Sequence, residues 1–134
     1  MEKKLIREAL KARLNAYAPY SNYMVGAALI TAGGKLFTGC NIENASYGAC
    51  NCAERTAVFK AVSEGEREIK AICIVGGRRG EEPSSYAYPC GICRQVIEEF
   101  SDSDTKIIVA NNEDDYKVYS MGEILPYAFS KENL

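Results

Sequence analysis

The sequence predicts an α/β protein: a three-layer α/β/α sandwich on a mixed five-stranded sheet. Helical periodicity recurs in three separate stretches, opening at Glu2, Cys52 and Cys90. Five short apolar or alternating runs lie between and after them, at strand length. The resulting order, α-β-β-α-β-α-β-β, calls for a mixed sheet with helices on both faces.

The first helix is expected from Glu2 to about Tyr17, where Leu5, Ile6, Ala9, Leu10, Leu14 and Tyr17 recur at helical spacing. Pro19 is expected to end it, since the residue before a proline is pushed out of the α region. Tyr23–Thr31 and Lys35 to about Asn41 read as two strands joined by Ala32-Gly33-Gly34, a glycine pair suited to a tight hairpin. The first strand is apolar almost throughout, which places it in the middle of the sheet. Ser46–Asn51 is a loop into a second helix, Cys52 to about Glu64, with Ala53, Ala57, Val58, Ala61 and Val62 as its apolar stripe and Gly65 as the residue after its C-cap.

Lys70–Val75 reads as a short buried strand and Gly76–Tyr88 as a polar loop rich in turn residues. The third helix runs from near Cys90 to about Phe100. Lys106–Ala110 is another apolar strand, Asn111–Asp115 a turn, Tyr116–Ser120 the fifth strand, and Gly122–Leu125 a short helical turn before Pro126. Repeats, linkers and low-complexity tracts are absent, so residues 1–134 are expected to form a single domain.

Composition narrows the function. Apolar residues make up 47% and charged residues 25% of the chain, values of an ordinary globule, and the longest apolar run, Val25–Ile30, is too short to cross a bilayer. Met1-Glu2-Lys3-Lys4-Leu5 lacks the apolar stretch of a secretory signal, so the expected location is the cytoplasm, with no membrane partner. A net charge of −2 argues against nucleic acid as a partner, and Arg78-Arg79, set among glycines and acidic residues, reads as a solvated loop. The chain has no histidine, which excludes Ser-His-Asp and Cys-His machinery and any His-ligated metal.

Six cysteines in a reducing compartment point to metal binding or thiol chemistry rather than disulfides. Cys90 and Cys93 are three apart, on one side of a first helical turn, and can share one ion. Cys52 also opens a helix. Two helix N-termini aimed at one point offer partial positive charge to thiolates and lower their pKa. Soft thiolates in such a cluster select Zn²⁺. Glu54, two residues after Cys52, can reach a water at an open fourth position without ligating the metal.

Cys50 is the competing fourth ligand. If Cys50 and Cys52 were both helical they would point roughly 200° apart, and if both extended, the same way. The sequence leaves this open. A closed structural zinc knot gives Glu54 no task, and a redox dithiol ignores Cys52. Cys73, mid-strand, and Cys40, at a strand end, read as ordinary buried cysteines.

Cys52-Ala53-Glu54 with Pro89-Cys90-Gly91-Ile92-Cys93 resembles the signature of the zinc nucleoside and nucleobase deaminases. Over nearly its whole length the chain is similar to the small homotetrameric cytidine deaminases. The matching stretches are Tyr17-Ala18-Pro19-Tyr20-Ser21, Val25-Gly26-Ala27-Ala28-Leu29, Gly39-Cys40-Asn41-Ile42-Glu43-Asn44-Ala45-Ser46-Tyr47, Cys52-Ala53-Glu54-Arg55-Thr56-Ala57 and Pro89-Cys90-Gly91-Ile92-Cys93-Arg94-Gln95, with Leu125-Pro126 and Phe129 at the end. Tyr23 stands where many relatives carry phenylalanine.

The resemblance implies hydrolysis of cytidine and 2′-deoxycytidine to uridine and 2′-deoxyuridine plus ammonia, in pyrimidine salvage. One Zn²⁺ per subunit would be held by Cys52, Cys90 and Cys93 and would activate water. Glu54 would shuttle protons to ring N3 and to the leaving amino group. Arg55 would donate to ligand thiolates and offset part of their charge, the plainer alternative being a helix-surface ion pair. Asn41 and Glu43 would grip the ribose 3′-hydroxyl, Ala53 would touch the substrate, and Tyr23 would stack on or edge the pyrimidine. Tyr47 and Phe129 would reach a neighbouring subunit's site.

From the residues alone, Asn41 and Glu43 face one way on an extended segment and can converge on a ligand, or they can simply form a polar loop. Tyr23 can equally be core. Nucleic-acid editing would need a basic channel that this chain lacks. Free cytosine as substrate would leave the sugar-binding groups unpaired, and a nucleoside antibiotic fits Asn41, Glu43 and Tyr47 less well than an ordinary ribose does.

Overall fold

In the computed structural model, which describes residues 1–134, apolar alternation along the central strands sorts their side chains onto two faces of one sheet. The strands are β1 (Tyr23–Thr31), β2 (Leu36–Cys40), β3 (Ile69–Arg78), β4 (Lys106–Asn112) and β5 (Asp115–Ser120), in the spatial order β2-β1-β3-β4-β5. β1 is antiparallel to both neighbours, β3 and β4 are parallel, and β5 returns antiparallel along β4. The sheet is therefore mixed and five-stranded, and β1 lies inside it, as its apolar run predicts.

One face carries Ala28, Ala71, Cys73, Val75, Ile108 and Ala110, and is covered by Leu5, Ile6 and Ala9 of α1 (Glu2–Arg13). The other carries Ala27, Leu29, Ile72, Ile74 and Ile107. It is covered by α2 (Ala53–Ser63), α3 (Gly91–Glu99) and the short α4 (Met121–Ile124), the last closed at its N-terminus by a Ser120–Glu123 capping box. None of these helices is long and apolar enough to cross a membrane.

Both large helix–sheet contacts rest on a glycine. A Cβ on Gly26 would lie 2.1 Å from the Ala9 carbonyl oxygen in α1, and one on Gly39 would lie 2.6 Å from the Ala53 carbonyl oxygen and the Ala57 nitrogen in α2. Backbone meets backbone at these two points, which sets how deeply each helix sits.

Three boundaries differ from the sequence reading. The first helix ends at Arg13 rather than near Tyr17, six residues before the proline expected to stop it. Leu14, Asn15 and Ala16 tighten into i→i−3 turns, and the Tyr17 N–H donates to the Asn41 carbonyl at 3.0 Å, so pairing with the segment after β2 wins over helix. Leu14 and Tyr17 are accordingly exposed. Secondly, β3 runs on through Gly76 and Gly77, which pair with Val25 and Met24 instead of opening a loop. Thirdly, β4 and β5 extend towards each other to Asn112 and Asp115, leaving only Glu113-Asp114 between them.

The inward turn of Arg13 explains the first difference. Arg13 is 5% exposed, and its guanidinium donates to the carbonyls of Met24 (3.0 Å), Arg78 (2.8 Å) and Glu81 (2.8 Å). A charge buried among three carbonyls needs the helix to stop where the side chain can turn under the sheet end.

Candidate metal centre

β2, β3 and β4 share one direction, so their C-terminal ends, with the start of β1, form one rim of the sheet. The helices that follow β2 and β3 begin at that rim. After Cys40 the chain is steered by a two-way backbone pairing of Ile42 with Asn51, at 2.9 Å in both directions, which delivers Cys52. Thr56 fastens this turn: its hydroxyl accepts from Asn51 Nδ2 at 3.0 Å and lies 3.1 Å from the Cys40 carbonyl.

Cys52 and Cys90 are the N-cap residues of α2 and α3, extended in backbone (ψ 157° and 168°), and their carbonyls accept the first intrahelical bonds from Thr56 and Arg94. Cys93 lies in the first turn of α3 and is fully buried. The three sulfurs lie within 4.8 Å of one another, and Cys52 and Cys90 are 3.8 Å apart. Tetrahedral zinc with Zn–S bonds of about 2.3 Å sets its sulfurs about 3.8 Å apart. The donor set therefore fits Zn²⁺ in size and softness.

Cys50 is outside this cluster. Its sulfur accepts from the Asn44 N–H at 3.3 Å and closes the preceding loop, so three thiols, not four, converge.

The charges around the thiols are graded. The proton donated by Cys93, with help from the Arg55 guanidinium, pulls the Cys52 thiol down to about 5, against the opposing cost of burial. The same shared proton drives the Cys93 thiol upward. Arg55 Nη2 donates to Cys52 Sγ at 3.5 Å, and that contact holds the guanidinium firmly protonated. Arg55 thus faces the thiol cluster and not the helix surface. Glu54 is 4% exposed, and burial, with a smaller push from the Cys52 thiolate, raises its carboxyl to about 7.

A cavity of about 370 Å³ opens over this floor, lined by Cys52, Ala53, Glu54 and Cys90 below and by Tyr23, Val25, Asn41, Ile74, Ala87 and Tyr88 around it. A recess with two thiols and a carboxyl near neutrality on its floor, and a third thiol buried beside them, can bind zinc and move protons to an enclosed small molecule.

The remaining sequence candidates divide. Asn41 lines the cavity, with its amide pinned between the Val25 N–H (2.8 Å) and the Tyr23 carbonyl (2.8 Å). Glu43 does not line it; its carboxylate accepts from the Tyr20 and Ser21 N–H groups and the Ser21 hydroxyl, which hold it below the usual carboxylate range, the hydroxyl most strongly. Tyr47 and Phe129 stand exposed outside the cavity, Phe129 with its carbonyl held by Gln95 at 2.8 Å.

Sequence reasoning passed over Ala87 and Tyr88, set in the polar loop, and Arg94, whose guanidinium donates to the carbonyls of Pro89 and Ile124 at 2.7 Å each. The signal was their position: Tyr88 directly precedes Pro89-Cys90, and Arg94 directly follows Cys93.

Comparison with known proteins agrees with this geometry. Residues 1–110 match the model of the family described as "Cytidine and deoxycytidylate deaminase zinc-binding region". The chain belongs to the zinc-dependent cytidine deaminase family. It is similar to the cytidine deaminase of Halalkalibacterium halodurans, 48% identical over 130 residues that cover 97% of this chain and 95% of the relative. The cytidine deaminase of Sporosarcina psychrophila is 50% identical over 131 residues, 98% of this chain and 93% of the relative. Among solved structures, the cytidine deaminase of Burkholderia pseudomallei superposes with a TM-score of 0.85 at 49% identity, covering 96% of this chain and 99% of that one. That of Mycobacterium tuberculosis gives 0.77 at 38% identity, with 94% of each chain covered. In a member of a zinc-binding family, Cys52, Cys90 and Cys93 are the residues whose convergence fits that metal.

Proposed function

We propose that residues 1–134 form a single cytidine deaminase domain that hydrolyses cytidine and 2′-deoxycytidine to uridine and 2′-deoxyuridine with release of ammonia. The observation that carries this reading is the buried Glu54 carboxyl, raised to about 7, on the floor of the same cavity as Cys52 and Cys90. A general acid–base works best when its pKa lies near the working pH. Zinc bound by Cys52, Cys90 and Cys93 supplies the Lewis acidity that makes water nucleophilic near neutral pH.

The chain's own groups do the rest. Glu54 accepts one proton of the attacking water and passes it to ring N3 as the new C4–O bond forms. It then takes the remaining proton of the C4 hydroxyl and delivers it to the exocyclic amino group, so that the C4–N bond breaks with release of ammonia and the C4 carbonyl forms. Arg55, donating to Cys52, offsets part of the thiolate charge that would otherwise weaken the ion as an electrophile. Ala53 closes the cavity floor, and Tyr23 offers its ring at the rim for the pyrimidine. Asn41 keeps one free N–H and one free lone pair for a sugar hydroxyl after its two backbone bonds.

Glu43 joins Asn41 at the ribose if substrate draws its carboxylate from Tyr20 and Ser21. Tyr47 and Phe129, exposed here, are read as contributions to neighbouring sites in a homotetramer. Thiolate ligands of this kind persist in a reducing compartment, which agrees with a cytoplasmic enzyme of pyrimidine salvage. The test is direct: zinc-replete protein is mixed with cytidine and the loss of its absorbance followed. Turnover to uridine is expected; none would leave a zinc-stapled binding module and sink the reading.

A further inference from the structure

Tyr88 is the one large cavity-lining side chain contributed by the loop between β3 and α3. Its backbone precedes Pro89, which confines it to the extended region and so limits where the ring can point. Its far end is fastened as well. The Tyr88 and Tyr119 hydroxyls are hydrogen-bonded at 2.8 Å, and their rings lie 5.8 Å apart at 59°. Tyr86 also meets the Tyr88 ring, edge-on, 6.4 Å away at 80°.

Tyr86 is itself held. Its hydroxyl donates to the Asp115 carboxylate, which also accepts from Asn111 Nδ2 at 2.9 Å, and the Lys117 ammonium lies 5.3 Å over its ring. A ring 45% exposed would ordinarily sample several rotamers. Here two tyrosines, one of them on β5 and the other bonded to it, hold the ring in place.

We propose that Tyr88 is a specificity-determining residue, a rigid wall that restricts the cavity to cytosine rings carrying no substituent beside the reacting carbon. This rests on the deaminase reading above. C4 must lie beside Cys52, Cys90 and Glu54 for the reaction to occur, and Tyr88 is two residues from Cys90, at the wall that adjoins the ligand turn. The groups flanking C4 are the exocyclic nitrogen and C5. A methyl on either projects from the reacting centre towards that wall. A mobile tyrosine would yield to it; one bonded through Tyr119 and met edge-on by Tyr86 does not. Tyr86, Tyr88 and Tyr119 have no part in the proton transfer assigned to Glu54, so they can set selectivity without altering it.

The experiment compares kcat/KM for cytidine, 5-methylcytidine and N4-methylcytidine in the zinc-loaded wild type, Tyr88→Ala, Tyr88→Phe and Tyr119→Phe. Tyr88→Ala should raise the ratio of one or both methylated substrates to cytidine by about tenfold or more, the scale on which a pocket discriminates one methyl group. Tyr88→Phe and Tyr119→Phe, which keep the ring and release its tip, should raise it by a smaller factor. Ratios unchanged within twofold in the folded variants, with cytidine still turned over by the wild type, overturn the proposal while leaving the deaminase intact. If Tyr88→Ala does not fold, the two phenylalanine variants decide by the same ratios. A wild type that turns over no cytidine would instead overturn the function on which this assignment rests.

Discussion

The two faces of the sheet hold the same chemical group in opposite states. Under α1, Cys73 is sealed among Leu5, Ala28, Ala71 and Ile108, and burial pushes its thiol up to about 12. On the other side, Cys52 is pulled down to about 5 by the Cys93 proton and Arg55. Burial raises both; the difference is what else each sulfur meets. One face offers only aliphatic carbon. The opposite face brings helix N-termini, a guanidinium and two more thiols to the same rim. A cysteine is made ready to bind metal here by where a helix starts, not by how deeply it is buried.

The comparison can be broken or sharpened in a graded way. Glu54→Gln removes the proposed acid–base group of the open face and should lower kcat by about 10²–10⁴-fold while zinc stoichiometry, read by metal analysis, stays near one. Near-normal turnover would remove the proton shuttle from the mechanism. Cys93→Ala should release zinc to a chromogenic chelator and lower Tm by about 10 °C, on the scale of roughly 3 °C per kcal/mol for a domain of this size. Retained metal with unchanged Tm would mean that two thiols suffice.

Cys73→Ser tests the sealed face. A hydroxyl left without a partner among aliphatic side chains should cost about 1–3 kcal/mol in urea unfolding, with zinc content and activity unchanged. Loss of zinc there would show that the two faces are not independent. The same residue gives a pH signature. Its folded thiol is raised from 9.0 to about 12, so its contribution is fully present below pH 9 and is lost as pH rises from 9 towards 12. Urea midpoints at pH 8, 10 and 11 should fall less steeply in Cys73→Ala than in the wild type. Smallest of all, Cys50→Ala should leave zinc stoichiometry unchanged, since that sulfur only closes the Asn44 turn.

The fold was legible wherever burial enforces periodicity. β1, β4 and the helices after Cys52 and Cys90 read directly from their apolar pattern, and so did the mixed sheet. Errors fell where a single long-range contact overrode local preference: Arg13 turning beneath the sheet end, Tyr17 recruited by Asn41, and Gly76-Gly77 drawn into pairing with Val25 and Met24. In the site, Cys52, Glu54, Cys90 and Cys93 were visible because local spacing and helix starts mark them, although the meeting of Cys52 with Cys90 is made by the sheet between them. The cavity wall was not. Ala87 and Tyr88 come from a loop with no period, and their placement depends on β5, some thirty residues further on. Cys50 was left open, and backbone state alone would not have decided it: Cys50 and Cys52 are both extended, yet the Cys50 sulfur is turned away to accept from the Asn44 N–H.

The ligand thiols of Cys52 and Cys90 lie 38 residues apart, at the starts of the two helices that carry the chain from β2 to β3 and from β3 to β4. They can meet only once β3 has been inserted between β1 and β4. Zinc retention is therefore a readout of chain topology as well as of chemistry. A molecule with β3 unpaired, or slipped by one residue so that its alternating side chains exchange faces, would present scattered thiols and lose the ion. Metal content of a refolded preparation would then count the chains whose sheet has closed in the right order.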